Sequence, residues 1–294
     1  MRVLATGAGG LLGGRLAACL HARGFDVLAL HRRAAPPPGP RSLALDLSDG
    51  DALERLLESE RPDAVLHAAV LGRADLCQER PADAQATNVS LPERLARACA
   101  ERGIRLVALS TDLVFAGDRA PYSEGDAPRP SSVYGRTKHE GEQAVLGTCP
   151  AAAVGRVALV LGRGHGARGS ASESVAWALR AGRPVHLFTD EHRTPIDAQS
   201  VADAVERLLA SKTARGLFHL GGPERLSRYE LGLRVARTLG LPESAIVAAR
   251  QSDYAGPDPR PADVSLDSGR ARRELGWEAR GVDEALRESR LAPD

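Results

Sequence analysis

Short apolar runs alternate along the first half of the chain with stretches in which apolar residues recur every three or four positions. The runs lie at 1–5, 25–30, 63–69 and 106–109, and helical spacing occurs between them, as at 91–99. Runs of this length predict buried strands, and the helical spacing predicts amphipathic helices. Strands that alternate with helices form right-handed βαβ units, whose parallel sheet is covered on both faces. The pattern therefore predicts an α/β fold with a doubly wound parallel sheet.

The alternation weakens after residue 164, where shorter strand-like and helix-like segments follow. We expect 1–164 to form a cofactor-binding domain, with 185–220 returning to it. The segments 165–184 and 221–294 are mostly helical by their spacing. We expect them to form a smaller substrate-binding region over the carboxyl edge of the sheet, because open α/β sheets bind their ligands at that edge.

Composition excludes several classes of partner. The formal net charge is +1 at pH 7, so no basic surface for nucleic acid or an anionic membrane is predicted. No apolar run approaches the roughly 18 residues of a membrane span, and we expect no leader before the first strand. The cysteines form no C-x-x-C pair and the histidines show no metal-ligand spacing, which predicts a reducing, cytoplasmic location and no metal. A homodimer is expected only as the commonest soluble assembly.

A glycine turn joins the first predicted strand to the first predicted helix. Gly7, Gly10 and Gly13 follow the strand in a G-x-x-G-x-x-G spacing, and Leu11 and Leu12 begin the helical stripe. Glycines at such a turn permit a tight bend, a close approach to phosphate and close packing of helix on strand. The helix N-terminus adds an attraction for the anion. These residues therefore predict a Rossmann-type site for the pyrophosphate of a dinucleotide.

The residues after the second predicted strand indicate which dinucleotide binds. An acidic residue there would hold the ribose 2′-hydroxyl of NAD, but this chain has Arg32 and Arg33. Guanidinium groups grip phosphate in bidentate fashion, so the pair predicts NADP, with NADPH preferred over NADH. Asp46 and Leu47 follow the third strand and are placed to meet an adenine edge.

Candidate catalytic groups lie on two elements that reach the same edge of the sheet. Tyr134 and Lys138 are four residues apart, so they share one face of a helix. Thr111 follows an apolar strand, within the sequence Ser110-Thr111-Asp112. The Y-x-x-x-K spacing alone often occurs by chance. Its convergence with Thr111 and the glycine turn favours one shared active site.

These motifs resemble the extended short-chain dehydrogenase/reductase superfamily and, within it, the dTDP-4-dehydrorhamnose reductase family of sugar-nucleotide-binding proteins. The most specific part is Ser110-Thr111-Asp112-Leu113-Val114-Phe115 joined to Tyr134-Gly135-Arg136-Thr137-Lys138. The resemblance covers nearly the whole chain, and it includes Thr6–Gly13, Ala68-Ala69, Cys77–Pro81, Asn88-Val89, Arg193–Pro195, Arg260-Pro261 and Leu266-Asp267.

The resemblance implies a role for each catalytic candidate. Tyr134 would give a proton to a carbonyl oxygen while NADPH delivers hydride to the carbon. Lys138 would lower the pKa of that phenol, because a nearby cation favours the phenolate, and would hold the nicotinamide ribose. Thr111 would hydrogen-bond the carbonyl and align it. The predicted cofactor-binding set is Gly7, Gly10, Leu11, Leu12, Gly13, Arg32, Arg33, Asp46, Leu47, Ala68, Ala69, Val70, Tyr134 and Lys138.

Four residues are expected on the substrate side of the site: Asp112, Leu113, Arg193 and Arg260. The two arginines are candidates for gripping a diphosphate or a sugar. Leu113 stands where the family usually has Tyr, and Val264 where it usually has Ser. Because Leu113 is expected near the substrate, its identity leaves an altered pocket or substrate open.

The sequence thus predicts an NADPH-dependent reductase of a keto group on a nucleotide-activated deoxysugar, with a dTDP-4-keto-6-deoxyhexose as the expected substrate. Two other enzymatic functions stay open, a nucleotide-sugar epimerase or dehydratase and a reductase of another ketone. A third alternative is a dinucleotide-binding regulatory subunit without chemistry, since the superfamily includes such a subunit of methionine adenosyltransferase.

Overall fold

The computed structural model describes residues 1–165, 169–253, 256 and 260–289. The strands are β1 (Arg2–Thr6), β2 (Asp26–His31), β3 (Arg41–Ala44), β4 (Ala64–His67), β5 (Arg105–Thr111), β6 (Ala153–Val157), β7 (Val160–Leu161), β8 (Val185–Phe188), β9 (His192–Arg193), β10 (Ile196–Asp197), β11 (Gly216–Leu220), β12 (Leu226–Ser227) and β13 (Ile246–Ala249).

The α-helices are α1 (Leu11–Ala22), α2 (Gly50–Glu60), α3 (Ala74–Glu79), α4 (Pro81–Gln85), α5 (Leu91–Arg102), α6 (Val133–Thr148), α7 (Ala171–Arg180), α8 (Ala198–Ala210), α9 (Arg228–Thr238), α10 (Gly269–Leu275) and α11 (Val282–Glu288). A π-helical turn at Ala86–Ser90 joins α4 to α5, and single 3₁₀ turns occupy Asp112–Val114, Glu243–Ala245 and Gln251–Asp253. Within the described ranges, no helix has both the length and the apolar character needed to cross a bilayer.

Seven strands form one parallel sheet in the order β11-β6-β5-β4-β1-β2-β3. From β1 the chain moves outward to β2 and β3, then returns to β4 on the other side of β1. The strand order therefore reverses between β1 and β4, which is where open α/β sheets bind ligands. The prediction of a doubly wound, Rossmann-type α/β fold is confirmed.

Each central strand contributes to both faces of the sheet. Val3 and Ala5 belong to one apolar cluster with Leu16 of α1, whereas Leu4 belongs to the opposite cluster with Leu95 of α5. Successive side chains of a strand point to opposite faces, so a strand covered on both sides reads as a continuous apolar run. This explains why the apolar runs in the sequence predicted buried strands.

A third apolar cluster holds the C-terminal region together, and it joins α7, α9 and α11 to the parallel pair β8–β13. Two small pairs, parallel β7–β10 and antiparallel β9–β12, lie nearby in the chain. Within the segment 185–220, β11 pairs with β6 in the main sheet, while β8 pairs with β13 outside it. The division into cofactor ranges, 1–164 with 185–220, and substrate ranges, 165–184 and 221–294, stays a prediction. Parts of the substrate ranges, 166–168 and 290–294 among them, lie outside the described residues.

Candidate active site

Close backbone packing surrounds the turn between β1 and α1. Gly7 has a φ of +72°, and a Cβ there would lie 2.5 Å from the carbonyl carbon of Ala68. A Cβ on Gly9, which the sequence analysis did not single out, would lie 2.2 Å from the carbonyl oxygen of Ala34. Gly13 is buried within α1. Side chains are thus excluded at Gly7 and at Gly9 in the turn, as a phosphate-binding turn requires.

A cleft of about 570 Å³ opens beside this turn, at the point where the strand order reverses. Its wall includes these members of the predicted cofactor set: Gly7, Gly10, Arg32, Arg33, Asp46, Leu47, Ala68, Ala69 and Val70. Leu11, Leu12 and Gly13 lie on α1, and Tyr134 and Lys138 on α6, outside that wall. The opposite side of the cleft, which sequence reasoning missed, includes Ser90, Leu91 and Arg94.

The buried Thr6 hydroxyl holds the end of β4 against the glycine turn. Its Oγ1 accepts hydrogen bonds from the backbone N–H groups of Ala68 and Ala69, each at 3.2 Å, and lies 2.9 Å from Nδ1 of His67. Burial, with the nearby charge of Lys138, lowers the pKa of His67 to about 3. The imidazole is therefore neutral at physiological pH, and this side of the cleft is fixed by short uncharged contacts.

Charged side chains gather at the other end of the cleft. Arg32 and Arg33 are exposed on its wall. Hydrogen bonds from Ser48 lower the pKa of Asp46, and the two arginines lower it further. Arg94 reaches across from α5, where its Nη2 donates to the carbonyl oxygen of Leu47 at 2.5 Å.

The structure brings Thr111, Tyr134 and Lys138 together at the carboxyl end of β5. Ser132 caps α6 by accepting from the N–H of Gly135 at 3.0 Å, which places Tyr134 in the first helical turn. The Thr111 hydroxyl interacts with the Tyr134 phenol, and this interaction favours a lower pKa of Tyr134. Lys138 is 8% exposed and its Nζ donates to the carbonyl oxygen of Leu109 at 2.8 Å. The phenol and the ammonium thus approach the same strand two residues apart.

Asn88, in the π-helical turn, links the cleft wall to α6. Its Oδ1 accepts from the N–H of Leu71 at 2.9 Å, and its Nδ2 donates to Oγ1 of Thr137 at 3.1 Å. The side chain is 1% exposed. The motif that contains Asn88 was visible in the sequence, but its contacts were not. π-Helical turns are frequent at functional sites.

Burial perturbs the protonation of Tyr134 and Lys138 in opposite directions. Burial raises the pKa of Tyr134 above its ordinary value, and the charge of Asp112 raises it further. Burial also lowers the pKa of Lys138 to about 8, against an opposing effect of Glu142. The lowering of the Tyr134 pKa by Lys138 stays a prediction, and burial of the phenol acts against it.

A buried cluster of charged side chains includes Asp112, which follows Thr111 in the chain. Asp112 is 4% exposed, and its Oδ2 lies 4.0 Å from Nε of Arg193. Arg193 also contacts Glu191 at 3.3 Å, and Arg260 forms a bidentate pair with that same carboxylate at 2.7 and 3.1 Å. Leu113 is half-buried, and its N–H donates to Oγ1 of Thr111.

The two acids of this cluster are perturbed in opposite directions. Burial raises the pKa of Asp112 to about 6, although Arg193 works against that change. Burial also opposes ionisation of Glu191, yet hydrogen bonds from Arg260 and the charges of Arg193 and Arg228 hold the pKa of Glu191 below its ordinary value. Glu191 therefore stays ionised at neutral pH, whereas Asp112 can change its protonation near neutral pH.

Comparison with known proteins agrees with this geometry. The profile of a family described as the RmlD substrate binding domain matches residues 1–291. A probable low-salt glycan biosynthesis reductase, Agl14 of Haloferax volcanii, is 32% identical over 283 residues, which cover 94% of this chain and 93% of that protein.

Two further similar proteins carry names that imply different functions. Methionine adenosyltransferase 2 subunit beta of Danio rerio is 32% identical over 276 residues, covering 92% of this chain and 83% of that protein. The crystal structure of a hypothetical dTDP-4-dehydrorhamnose reductase from Sulfolobus tokodaii superposes with a TM-score of 0.84 at 30% identity, covering 96% of this chain and 98% of that one.

Proposed function

The chain belongs to the RmlD substrate-binding-domain family, and from this we propose that it is an NADPH-dependent reductase of a keto group on a nucleotide-activated deoxysugar. We take a dTDP-4-keto-6-deoxyhexose as its substrate. The observation that carries the proposal is the placement of Tyr134 and the buried Lys138 on α6, beside the end of β5 that carries Thr111, at the sheet edge where a dinucleotide-sized cleft opens.

The cleft residues fit a nicotinamide dinucleotide. The turn at Gly7 and Gly10, followed by the N-terminus of α1, suits a pyrophosphate, because backbone N–H groups there lack intrahelical partners. Arg32 and Arg33 suit the 2′-phosphate of NADP. Asp46 and Leu47 would meet the adenine, while Ala68, Ala69 and Val70 would line the path toward the nicotinamide. When bound, the reduced nicotinamide supplies the hydride.

The catalytic groups would divide the proton chemistry. A raised pKa keeps the Tyr134 phenol protonated at neutral pH, so the residue holds the proton that the reduced carbonyl oxygen needs. Lys138, with a pKa of about 8, carries charge at neutral pH and would contact the nicotinamide ribose. Thr111 would align the carbonyl from the end of β5.

On the substrate side, Asp112, Leu113, Arg193 and Arg260 would contact the nucleotide sugar. Arg193 is buried and Arg260 is at the surface, so together they extend from the reaction centre outward. A leucine rather than a tyrosine at 113 removes a hydroxyl from the pocket, and this change is expected to alter which sugar is accepted. We also propose that 1–164 with 185–220 bind the cofactor, and that 165–184 and 221–294 bind the substrate.

Anaerobic incubation of the protein with NADPH and a dTDP-4-keto-6-deoxyhexose tests this function. We expect the absorbance of NADPH to fall in step with formation of the alcohol. The Tyr134→Phe variant should be slower by about 10²–10⁴-fold, the usual size of a general-acid contribution. Equal rates for Tyr134→Phe and the unaltered protein would refute the acid role.

A regulatory subunit is the second candidate function, because the methionine adenosyltransferase subunit is as similar in sequence as the glycan reductase. The same assay distinguishes a reductase from an epimerase and from a regulatory subunit. An epimerase converts the sugar without net loss of NADPH. A regulatory subunit binds NADPH but changes neither the sugar nor the dinucleotide. The assembled Thr111, Tyr134 and Lys138 favour the reductase.

A further inference from the structure

A buried cation, Arg156, lies next to the catalytic candidates, and the proposed reduction gives it no part. It belongs to β6 and is 1% exposed. Its register partners in the sheet are Ser110 of β5 and His219 of β11. Because side chains alternate between the faces of a sheet, partners in register on parallel strands share one face. The three residues therefore form a row across the sheet, one position before Thr111.

The guanidinium group of Arg156 joins several elements. Its Nε and Nη2 donate to the two carboxylate oxygens of Glu142 at 2.9 and 2.7 Å. Its Nη1 lies 3.3 Å from Nε2 of His219, and Nδ1 of His219 lies 3.0 Å from the carbonyl oxygen of Tyr122. Because a carbonyl oxygen only accepts, the ring proton is on Nδ1, and Nε2 accepts from Arg156. Cζ of Arg156 also lies 5.0 Å from the centroid of the Phe115 ring.

Two of these contacts lead to the catalytic candidates. Glu142 is four residues after Lys138 on α6, so the two side chains share one face of the helix. Nζ of Lys138 donates to the carbonyl oxygen of Leu109 on β5. The helix is thus fixed to β5 through Lys138 and to β6 through Glu142. Phe115 lies four residues after Thr111, beyond a single 3₁₀ turn, so the guanidinium also packs against the segment that follows Thr111.

The buried pair of Arg156 and Glu142 is poorly suited to adding stability. Taking two charges out of water costs much of what their attraction returns, and well-packed apolar residues in their place are often neutral or stabilising. The hydrogen bonds of the pair are directional, however, because the planar guanidinium fork matches a carboxylate in a bidentate geometry. The pair is therefore better suited to fixing the orientation of α6 on the sheet.

We propose that Arg156 is a positioning residue of the active site, which holds Tyr134 and Lys138 on α6 in register with the end of β5. The inference rests on the proposed reductase function. Arg156 acts through Glu142 and Phe115, and it does not belong to the wall of the dinucleotide-sized cleft. Its loss should therefore slow the reduction while binding of NADPH stays nearly unchanged.

A double variant, Arg156→Met with Glu142→Leu, tests the proposal without leaving one buried charge unpaired. We expect kcat for keto-sugar reduction to fall by about 10- to 100-fold, because small displacements of catalytic groups cost this much. The Kd for NADPH and KM for the keto-sugar should stay within about threefold, since the binding surfaces are intact. Arg156→Lys keeps a cation beside Glu142 but lacks the fork, and it should show the same split between kcat and KM. This variant carries the test if the apolar pair does not fold.

Arg23→Lys is the matched control. Arg23, at the C-terminal end of α1, also uses its guanidinium to join two helices, because it donates to Asp203 and Glu206 of α8. This variant should keep the kcat of the unaltered protein. Folded Arg156 variants that keep kcat within about twofold would overturn the proposal, because the fork would then not be needed to place the catalytic groups.

NMR of ¹⁵N-lysine-labelled protein supplies a readout that does not need activity. The chain has two lysines, Lys138 and the exposed Lys212. At pH 6 the Lys138 ammonium, held by the carbonyl of Leu109, should exchange slowly with water and give a signal that broadens in the double variant. If the signal broadens but the unaltered protein reduces no keto-sugar, the proposed reductase fails while the positioning role stands. If keto-sugar is reduced and neither this signal nor kcat changes in the variant, the positioning role fails while the reductase stands.

Discussion

Lys138 is one of two lysines in a chain that carries 39 Lys and Arg residues. The other, Lys212, is exposed. A lysine ammonium is a compact charge that burial can tune, whereas a guanidinium is larger and always charged. The chain therefore has a lysine at the buried position next to Tyr134 where we propose that a small, tunable cation matters, although it uses arginine at nearly every other basic position.

Replacement of Lys138 by arginine tests this reasoning. We expect Lys138→Arg to lower kcat by about 10²-fold or more, because a guanidinium cannot occupy the buried contact with Leu109 and keeps its charge at every pH. Steady-state kinetics across pH 6–9 measure the effect. Lys212→Arg is the matched control and should behave like the unaltered protein. A fully active Lys138→Arg enzyme would argue against a catalytic role for this residue.

The preference for NADPH over NADH is also expected to depend on individual residues, Arg32 and Arg33. Arg32→Ser combined with Arg33→Ser should raise KM for NADPH by about 10- to 100-fold, since hydrogen bonds to a charged group contribute roughly 1.5–3 kcal/mol. KM for NADH should change little, because NADH has no 2′-phosphate. Arg97→Ser, on the exposed face of α5, is the control. If both dinucleotides lose affinity equally, the two arginines do not read the 2′-phosphate.

The sequence predicted best the elements that have a regular pattern of residues along the chain. β1, β4 and β5 are covered on both faces, so their residues form apolar runs, and α6 was found through the spacing of Tyr134 and Lys138. Sequence could not find the contacts of Asn88, because they join side chains and backbone 17 and 49 positions apart. Sequence also could not show how far burial raises the pKa of Tyr134, because the degree of desolvation depends on packing rather than on spacing.

Arg94 of α5 contributes to the cleft wall, although it lies far from the glycine motif in the chain. Its guanidinium on α5 donates to the carbonyl oxygens of Leu47 and Ser48, at 2.5 and 3.4 Å, and so ties the loop after β3 to the opposite wall. We expect Arg94→Ala to raise the Kd for NADPH by about 5- to 30-fold, corresponding to one or two hydrogen bonds, with little change in the rate of hydride transfer. Fluorescence titration measures the Kd. Arg97→Ala, one helical turn further on, should leave it unchanged; equal losses for both variants would mean that general damage to α5 is the cause.

At the scale of the whole molecule, two buried histidines make stability depend on pH. Burial lowers the pKa of His67 to about 3, and burial with the charge of Arg156 lowers the pKa of His219 to about 4. Both bind a proton on unfolding, so the unfolded chain holds more protons between these values and about 6.5. Their contribution to stability is complete above pH 6.5 and is lost as the pH falls. Asp112 acts in the opposite sense between its unfolded value and about 6, because its native form takes up a proton first.

The opposing effects of the two histidines and of Asp112 on the free energy of unfolding can be compared. Between pH 7 and pH 5 each histidine removes about 2 kcal/mol and Asp112 returns about 1.4 kcal/mol, at 1.36 kcal/mol per pH unit, which leaves a net loss of roughly 3 kcal/mol. Urea unfolding at pH 7, 6 and 5 measures this fall. His219→Gln should reduce it by about 2 kcal/mol, because one titrating group is gone. His186→Gln, at an exposed position of β8, should leave the full fall in place. A stability that does not change over this range, or a His219→Gln protein with the same slope as the unaltered chain, would mean that the buried imidazoles do not stay neutral in the folded state.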